Sequence, residues 1–556
     1  MSQALRRYRE RRGGPRFPLL ELFEAVGEDP TVTRDPEALA RRTGLPPAAL
    51  RGVLSYYADL REPPPPVQVC RGTSCTLNGG RELENALRAE GPCGTVHCLG
   101  YCDRSPAALR NGDELHVASG SSGASGASGA SGVSARQPPP PSIRCLASEP
   151  IVTRRVGRGD FSDLARARED GAYRALERAL ARRPVDGIEA LEASGERGRG
   201  GAGFPTGTKW RRCAEAPGET RYVVANGDEG DPGSYVDRVL MEQDPHGVLE
   251  GLALCAYAVG AREGIVFVRS EYPWARRVLQ RAIDDARAAG ILGSSVLGSD
   301  FAFDVVLFRG LGSYVCGEET AMLNAIEGLR GEVRLRPPYP AVEGLFGCPT
   351  VVQNVETLAN VPYVLEHGPE AYAALGTQRS SGTKALCLNR GFERPGIVEV
   401  EFGLPLREVV EEAGGGREGR AIEAVVLGGP MGSLLGPDEW DVPLCYGAMA
   451  ERDVQLGHGG IVAIPEDARW PALVEHWLEF LDAESCGKCV PCSLGSRRAL
   501  ELVRSTGDAD ARPRLESVLE LMQRTSLCAF GRLLPVPVRR LLDRYGDRVF
   551  DGEAKP

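Results

Sequence analysis

The chain has 556 residues, 16 cysteines and a formal net charge of −10. That acidic balance excludes nucleic acid and anionic membrane as principal partners, and no apolar run approaches the roughly 18 residues of a spanning helix. The length fits several domains, and cysteines clustered in so large a chain point to metal ligation rather than to a disulfide framework.

No secretory signal is visible. The arginine-rich start, MSQALRRYRERR, has no apolar core and reads as a solvated tail, with an organelle transit peptide as the alternative. Residues 17–62 read as helical. Asp35 caps one helix with Pro36 in its first turn, and LPPAALRGVLSYYADL opens a second at a proline. Their simplest role is a lead-in that packs on the next domain. A DNA-binding helix-turn-helix is the rival, disfavoured by the lack of a basic patch.

Four prolines at 63–66 then punctuate the chain, and VQV leads as a short strand into Cys70. Cys70 and Cys75 have four residues between them, and Cys98 and Cys102 have three. Two such pairs in loops after strands suit a [2Fe-2S] cluster. Zinc is the competitor, although its cysteine pairs usually stand two residues apart. Cys93 falls outside the pattern. Residues 118–142 read as a linker. SGASGASGASG has no core-forming side chain and QPPPP stiffens its exit, so about 25 residues would reach roughly 25–30 Å. The first domain is then tethered rather than rigidly fused, unless it docks.

From residue 143 to about 375, helical and apolar β-like segments alternate, as in a layered α/β domain. Within it lies SGERGRGGAGFPTGTKW, with six glycines between Gly195 and Gly207. Such density lets a flat ring or a phosphate lie on backbone N–H groups. Gly198, Gly200 and Gly203 spell GxGxxG, but a helix precedes the motif and Pro205 interrupts the segment after it, so the dinucleotide fingerprint has the wrong context. Phe204 offers a stacking face and Lys209 a fixed charge. RYVVAN reads as a strand ending at Asn226, and Asp228, Glu229 and Asp231 crowd its C-terminal edge, where open α/β sheets bind ligands. In GSYVCGEETAML, Glu318 and Glu319 precede a helix. They can accept bonds from ribose hydroxyls and repel a 2′-phosphate, or simply face the helix dipole. Arg336 and Tyr339 sit on a proline-held segment, and Asn354 and Thr357 add polar groups.

Residues 382–468 read as β, with one helical stretch, REVVEEAG; Cys387 and Cys445 there are expected to be buried. The last segment is helical. It holds Cys486, Cys489 and Cys492 two residues apart, with Cys528 after 35 intervening residues. Three close thiolates and a distant fourth suit [4Fe-4S], and crowd a zinc tetrahedron.

CRGTSC and CLGYC resemble the thioredoxin-like [2Fe-2S] ferredoxin of respiratory complex I. GRGGAGFPTGTKW, NGDEGDPGSYVDR, GSYVCGEET, RPPYPA, NVET and ESCGKCVPC resemble the NADH-binding flavoprotein subunit of complex I, and equally the diaphorase subunits of NAD-linked formate dehydrogenases and bidirectional hydrogenases. The resemblance implies a multidomain α/β chain in six parts. A helical lead-in (1–62) precedes a shortened thioredoxin-like [2Fe-2S] domain (63–117), in which the 22 residues between Cys75 and Cys98 suggest a trimmed strand or turn. The linker (118–142) leads to a modified Rossmann-like domain for FMN and NADH (143–380). A β-grasp domain of the soluble-ligand-binding type (381–468) and a helical [4Fe-4S] domain (469–556) complete the chain.

In that family the glycine loop, here Gly198, Arg199, Gly200, Gly201, Ala202, Gly203, Phe204, Thr206 and Gly207, borders both ligands together with Lys209. The match implicates Asn226, Asp228, Glu229 and Asp231 beside FMN. Tyr314, Gly317, Glu318 and Glu319 match the flavin and nicotinamide-ribose wall, and Asn354 and Thr357 the FMN tail. Phe204 and Tyr339 match adenine-stacking positions, and Arg336 replaces a common lysine. Gln353 stands for a usual asparagine, Arg212 for an aromatic, and Asp231 for a glutamate common in complex I. The implied activity is NADH:acceptor oxidoreduction: hydride to FMN, then single electrons to the clusters. Glu229, Glu319 and Lys209 would be catalytic by orienting and tuning. The resemblance further implies a subunit of a larger complex on the cytoplasmic side, at most peripheral to the inner membrane through partner subunits and without membrane insertion of its own. The alternatives are the reverse reaction, with formate or hydrogen reducing NAD, and a non-catalytic scaffold, which would predict broken cluster ligands.

Overall fold

A computed structural model describes residues 35–61, 65–118, 132–135, 138–416, 420–505 and 510–550. The arginine-rich start and residues 119–131, which hold all but the last glycine of the SGASGASGASG repeat, lie outside the described residues.

The helix Pro36–Thr43 begins where the Asp35 side chain accepts from the Glu37 N–H at 3.0 Å, and ends at Gly44, whose φ of +70° suits a residue without Cβ. With the next helix, Pro47–Leu54, it buries Leu39, Leu50, Val53 and Tyr57 against Val224, Phe267 and Met322. The lead-in therefore packs on the central α/β domain and passes over the ferredoxin domain that comes after it in sequence.

The ferredoxin-like sheet has the order β2-β1-β3-β4-β5. β1 (Val67–Cys70) lies parallel to β2 (Cys93–Val96), while β3 (Ala107–Arg110), β4 (Glu114–Ala118) and β5 (Gly132–Ala135) continue antiparallel. β5 comes from the stretch read as linker. The sheet is thus completed from the far side of the Ser/Gly/Ala repeat, because an extended segment there finds a free ladder on β4. Nor is the domain loosely tethered: the buried Arg238 and Arg269 of the central domain donate to its backbone carbonyls. A second boundary also moves. β6 (Ile143–Cys145), expected to open the FMN domain, pairs in parallel with β14 (Gly396–Glu401) and belongs to the β-grasp sheet.

The central sheet is wholly parallel, in the order β10-β7-β8-β9. β7 (Tyr222–Gly227), β8 (Glu263–Val268) and β9 (Asp304–Arg309) run outward in one direction, and β10 (Thr350–Asn354) returns to the other side of β7. The strand order reverses between β7 and β10, so a crevice opens at their carboxyl ends. The register puts Asn226 beside Asn354 at that point. Strands buried on both faces account for apolar runs such as YVVA and GIVFV. The helix Pro245–Val259 is buried along nearly its whole length and forms the middle of the core.

A small ribbon, β11 (Gly376–Thr377) with β12 (Ser380–Ser381), leads into a six-stranded sheet, β16-β15-β17-β13-β14-β6. It comprises β13 (Thr383–Leu388), β15 (Ile422–Leu427), β16 (Ser433–Leu435) and β17 (Gly460–Pro465) with β14 and β6. Cys387 and Cys445 are buried, as expected. One carboxylate ties this sheet to the segment before the central domain: Glu399 of β14 accepts from the N–H groups of Ile151, Val152 and Thr153 at 2.9 to 3.1 Å. The helices Trp470–Glu484, Val490–Arg504, Ala511–Thr525 and Pro535–Phe550 close the chain around Trp470, Trp477, Leu519 and Leu541.

Candidate active site and cluster sites

A cleft of about 630 Å³ opens at the β7/β10 reversal. That is room for a flavin mononucleotide and part of a second nucleotide. One wall is the glycine loop. It folds back on itself, with the Gly198 N–H donating to the Phe204 carbonyl at 2.9 Å. Gly201 and Gly203 take φ of +111° and +58°, and a Cβ on Gly203 would come within 2.9 Å of the Tyr446 ring. Only glycine meets both demands there.

The facing wall is acidic. Asn226 donates to the Gly317 carbonyl at 2.8 Å and accepts from the Asp228 N–H at 3.1 Å, which fixes the turn that carries the acids. Glu229 is buried and accepts from the N–H groups of Asp237 and Arg238, at 3.0 and 2.9 Å, where the helix Val236–Gln243 begins. Burial, reinforced by Asp237 and opposed by His458, pushes its carboxyl up to about 7. Burial also raises Asp228 and Asp231; Arg269 opposes it at Asp228, and His458 and the Tyr314 hydroxyl oppose it at Asp231.

At the mouth, Glu319 lies between two cations. Lys209 Nζ stands 3.2 Å from one oxygen and Arg336 Nη1 3.0 Å from the other. Burial works against ionisation here, yet Lys209 and then Arg336 hold the carboxyl below its ordinary value. Glu318 takes the helix-cap role: it accepts from the N–H groups of Thr320 and Ala321 at 2.9 and 3.0 Å. Phe204 and Tyr339 are 40% and 50% exposed at the rim, open for stacking. Arg212, which stands for the family's aromatic, lies over the Phe204 ring at 5.8 Å.

The far end of the cleft is lined by Ala529, Phe530 and Leu533, directly after Cys528. Cys486, Cys492 and Cys528 are buried and Cys489 is half-buried. A Cβ on Gly531 would meet the Cys492 Cβ at 3.0 Å, so close packing around this cysteine set requires glycine. Lys488 pairs with Glu332 at 2.7 Å. In the ferredoxin-like domain Cys70, Cys75, Cys98 and Cys102 are all buried. The N–H groups of Gly72 and Gly100 point at the sulfurs of Cys70 and Cys98, at 3.4 and 3.3 Å. Such N–H···S contacts favour thiolate ligands and tune cluster potentials. Both donor sets fit iron–sulfur clusters.

Family models match in three places. A thioredoxin-like [2Fe-2S] ferredoxin covers residues 32–120, the Nuo51 FMN-binding domain covers 191–363, and the NADH-ubiquinone oxidoreductase-F iron–sulfur binding region covers 472–551. The F 2 subunit of NADH-quinone oxidoreductase from Rhizobium meliloti (strain 1021) is 40% identical over 406 residues, 71% of this chain and 96% of the relative. The chain belongs to the F-subunit family of NADH-quinone oxidoreductases. Another relative in this family is NADP-reducing hydrogenase subunit HndC of Solidesulfovibrio fructosivorans, 41% identical over 67% of this chain and 77% of the relative. Among solved structures, a chain of an NAD+-reducing [NiFe]-hydrogenase in the H2-reduced state aligns with a TM-score of 0.80 and 28% identity. The alignment covers 98% of this chain and 94% of that one. The F-subunit family is one of flavoprotein oxidoreductases, and this chain carries its FMN-binding region and its iron–sulfur binding region, preceded by a thioredoxin-like [2Fe-2S] region.

Most residues named from the sequence line the cleft: Gly198, Gly200, Gly201, Ala202, Gly203, Phe204, Lys209, Asn226, Asp228, Glu229, Asp231, Tyr314, Gly317, Glu318, Glu319, Arg336, Tyr339 and Asn354. Four expected cofactor contacts stand behind that wall. Arg199 is fully buried, with Nη2 donating to Glu196, the Tyr372 hydroxyl and the Ser381 carbonyl at 2.8, 2.6 and 3.0 Å. Its side chain anchors the glycine loop to β12 instead of reaching the cleft. Thr357 accepts the Arg199 N–H at 2.8 Å, and Thr206 accepts from Gln353 at 3.4 Å. Gly207 admits the helix Pro184–Ser194, since a Cβ would stand 2.6 Å from the Glu192 nitrogen.

The residues that sequence reading misses are Asp237, His458, Arg269 and Phe530. The first two line the cleft from the helix after the acidic loop and from the loop before β17. Arg269, at the end of β8, donates to the Glu229 carbonyl at 2.6 Å and to the Cys98 carbonyl at 3.0 Å. Arg238 reaches the Gly100 carbonyl at 3.0 Å and lies over the Tyr101 ring at 4.0 Å. These two arginines seat the Cys98–Cys102 loop behind the acidic wall.

Proposed function

We propose that this chain oxidises NADH at the cleft, with FMN as resident cofactor, and delivers electrons singly to a [4Fe-4S] cluster on Cys486, Cys489, Cys492 and Cys528 and a [2Fe-2S] cluster on Cys70, Cys75, Cys98 and Cys102. It acts as a subunit of a larger redox complex. The observation that carries this reading is that one cavity joins the nucleotide wall to Phe530, two residues beyond a cluster cysteine. When bound, FMN supplies the conversion between a two-electron hydride and one-electron transfers. The chain's own residues supply position. Phe204 and Tyr339 offer stacking faces to the adenine at the rim. Glu319, held ionised by Lys209 and Arg336, accepts from ribose hydroxyls and disfavours a 2′-phosphate. Asn226, Asp228, Glu229 and Asn354 border the flavin. No side chain needs to act as acid or base in the hydride step itself, so in that step Glu229, Glu319 and Lys209 act by orientation and charge.

Purified holoprotein with NADH is expected to bleach its flavin absorbance and reduce ferricyanide; absence of bleaching would overturn the assignment. The reverse direction, reduction of NAD by a partner's electrons, is favoured by one observation. The likeness to the hydrogenase chain runs over nearly the whole length, front domain included, whereas the NADH-quinone oxidoreductase F 2 relative matches 71% of this chain. A molybdenum or nickel–iron partner that co-purifies would support that direction. Among the described residues no helix is long and apolar enough to cross a membrane, so any membrane association would run through partner subunits.

A further inference from the structure

Three buried titratable groups from separate segments meet in the cleft wall: Glu229, Asp237 and His458, which are 3%, 1% and 6% exposed. His458 Nε2 is 2.8 Å from Asp237 Oδ2, and Nδ1 is 3.5 Å from Glu229 Oε1. The donors around them are already committed. Asp237 Oδ1 accepts from the Glu356 N–H at 3.0 Å, and Oδ2 also accepts from the Asn354 amide at 2.6 Å. The Glu229 oxygens take the two helix N–H groups, and the Tyr272 hydroxyl stands 3.3 Å from Oε2. His458 Nδ1 has no hydrogen-bond partner. An imidazole edge is therefore left open, buried, and adjacent to a carboxylate on the surface of the cleft.

We propose that Glu229, His458 and Asp237 act as one proton-accepting unit, which takes up the proton left in the cleft each time the two electrons of a hydride depart singly. The inference rests on the oxidoreductase reading of the cleft. Its balance is fixed by stoichiometry: NADH becomes NAD+ with loss of two electrons and one proton. Iron–sulfur clusters, or two ferricyanide ions in an assay, accept only the electrons. The proton needs a base within the dry wall, and Glu229 is one: its carboxylate is flanked by His458, which stabilises the charged form before the proton arrives.

The surrounding charges support that role. Burial pushes Glu229 up to about 7, and although burial opposes it, Asp237 and then Glu229 raise His458 to about 9. Near neutrality the unit holds an imidazolium and a carboxyl that can exist in either form. Lys384 faces it from β13 but is paired with Glu356, Asp231 faces it from the acidic loop, and the Arg238 guanidinium turns away to Glu242 and Gly100. Accepting a proton requires the Glu229 carboxylate, so capacity rises with pH through about 7. Removing the imidazolium removes the charge that holds Glu229 down, and the limb moves to higher pH.

The test uses FMN- and cluster-loaded protein, with His458→Gln, Glu229→Gln and Asp237→Asn each normalised to bound flavin. One readout is the pH profile of NADH–ferricyanide turnover, and the other, independent of turnover, is the flavin midpoint potential against pH. In the wild type both should bend near neutral pH. His458→Gln should move both bends upward by about one unit, which is about tenfold in turnover on the acid side. Glu229→Gln should abolish both. Profiles in all variants that superimpose on the wild type would overturn the proposal. So would a stoichiometric divalent ion bound at His458. Wild-type flavin that NADH fails to bleach would instead sink the oxidoreductase reading itself.

Discussion

Arg269 is 7% exposed and joins the cleft wall to the cluster loop. One guanidinium nitrogen donates to the Glu229 carbonyl at 2.6 Å, another to the Cys98 carbonyl at 3.0 Å and to Glu271 at 2.9 Å, and Asp228 lies 4.0 Å away. Arg269→Met removes two charge-assisted bonds to backbone carbonyls, each contributing about 1.5–3 kcal/mol. Only the bond to Cys98 spans to the Cys98–Cys102 loop, so the loop should then open at a free energy lower by about 1.5–3 kcal/mol. Since 1.4 kcal/mol is a factor of ten, amide hydrogen exchange in that loop should accelerate by roughly 10–10². Arg269→Lys should recover only part of this, because an ammonium lacks the planar fork that spans both carbonyls. The matching functional readout is the rate at which NADH generates the [2Fe-2S] paramagnetic signal, which should fall while flavin bleaching persists. If exchange in the loop is the same in wild type, Arg269→Met and Arg269→Lys, the latch reading is wrong.

Cys528→Ser should halve the number of intact clusters and remove the [4Fe-4S] signal in EPR, while iron analysis and the [2Fe-2S] signal show the other site filled. Glu319→Gln frees Lys209 and Arg336 at the mouth, so the ratio of kcat/KM for NADPH over NADH should rise by about tenfold, read by steady-state kinetics with both nucleotides. Glu250, buried under the Leu176 N–H at 3.2 Å, is pushed up to about 7 mainly by burial. Between the ordinary carboxyl value of 4.5 and 7 the folded chain binds more protons there than the unfolded chain, so stability falls as pH rises through that window. Glu250→Gln should therefore raise Tm at pH 8 by the equivalent of about 1–3 kcal/mol and leave it unchanged near pH 4, as followed by calorimetry.

How much of the molecule is legible in its sequence depends on whether the chemistry is written in local spacing. Cluster cysteines, strand-end acids and a glycine-rich turn each demand particular residues a few positions apart, so Cys486, Cys489, Cys492, Asp228, Glu229 and the loop from 198 to 203 can all be read directly. Arg199 is misread because it sits inside that loop: φ alternation in so glycine-rich a segment decides which side chains turn inward, and composition does not report it. His458 and Asp237 carry no local signal. They are 221 residues apart and meet only because β17 and the helix after the acidic loop converge on the β7/β10 reversal. Strands β5 and β6 escape notice for a related reason: both are short, flanked by glycine or proline, and become strands only when a distant ladder accepts them.

The same convergence explains why a front domain joined through so long a Ser/Gly/Ala stretch is nonetheless seated with buried contacts. A tether sets only the concentration of one domain around the other; it fixes no orientation. Orientation comes from Arg238 and Arg269, from Asn389 reaching the Ser74 hydroxyl at 3.1 Å, and from the Arg390 N–H donating to the Cys102 carbonyl at 2.9 Å. These donors come from the central and β-grasp domains and grip the span from Cys98 to Cys102 or the helix Thr73–Leu77 that carries Cys75. The turn between β3 and β4 is held as well, where Arg277 pairs with Asp113 at 2.8 Å. Phe530 lines the same cleft from the C-terminal helices, two residues beyond Cys528, while Arg269 links the acidic wall to the Cys98 carbonyl. The docking donors are therefore the residues on which the seating of the front domain depends.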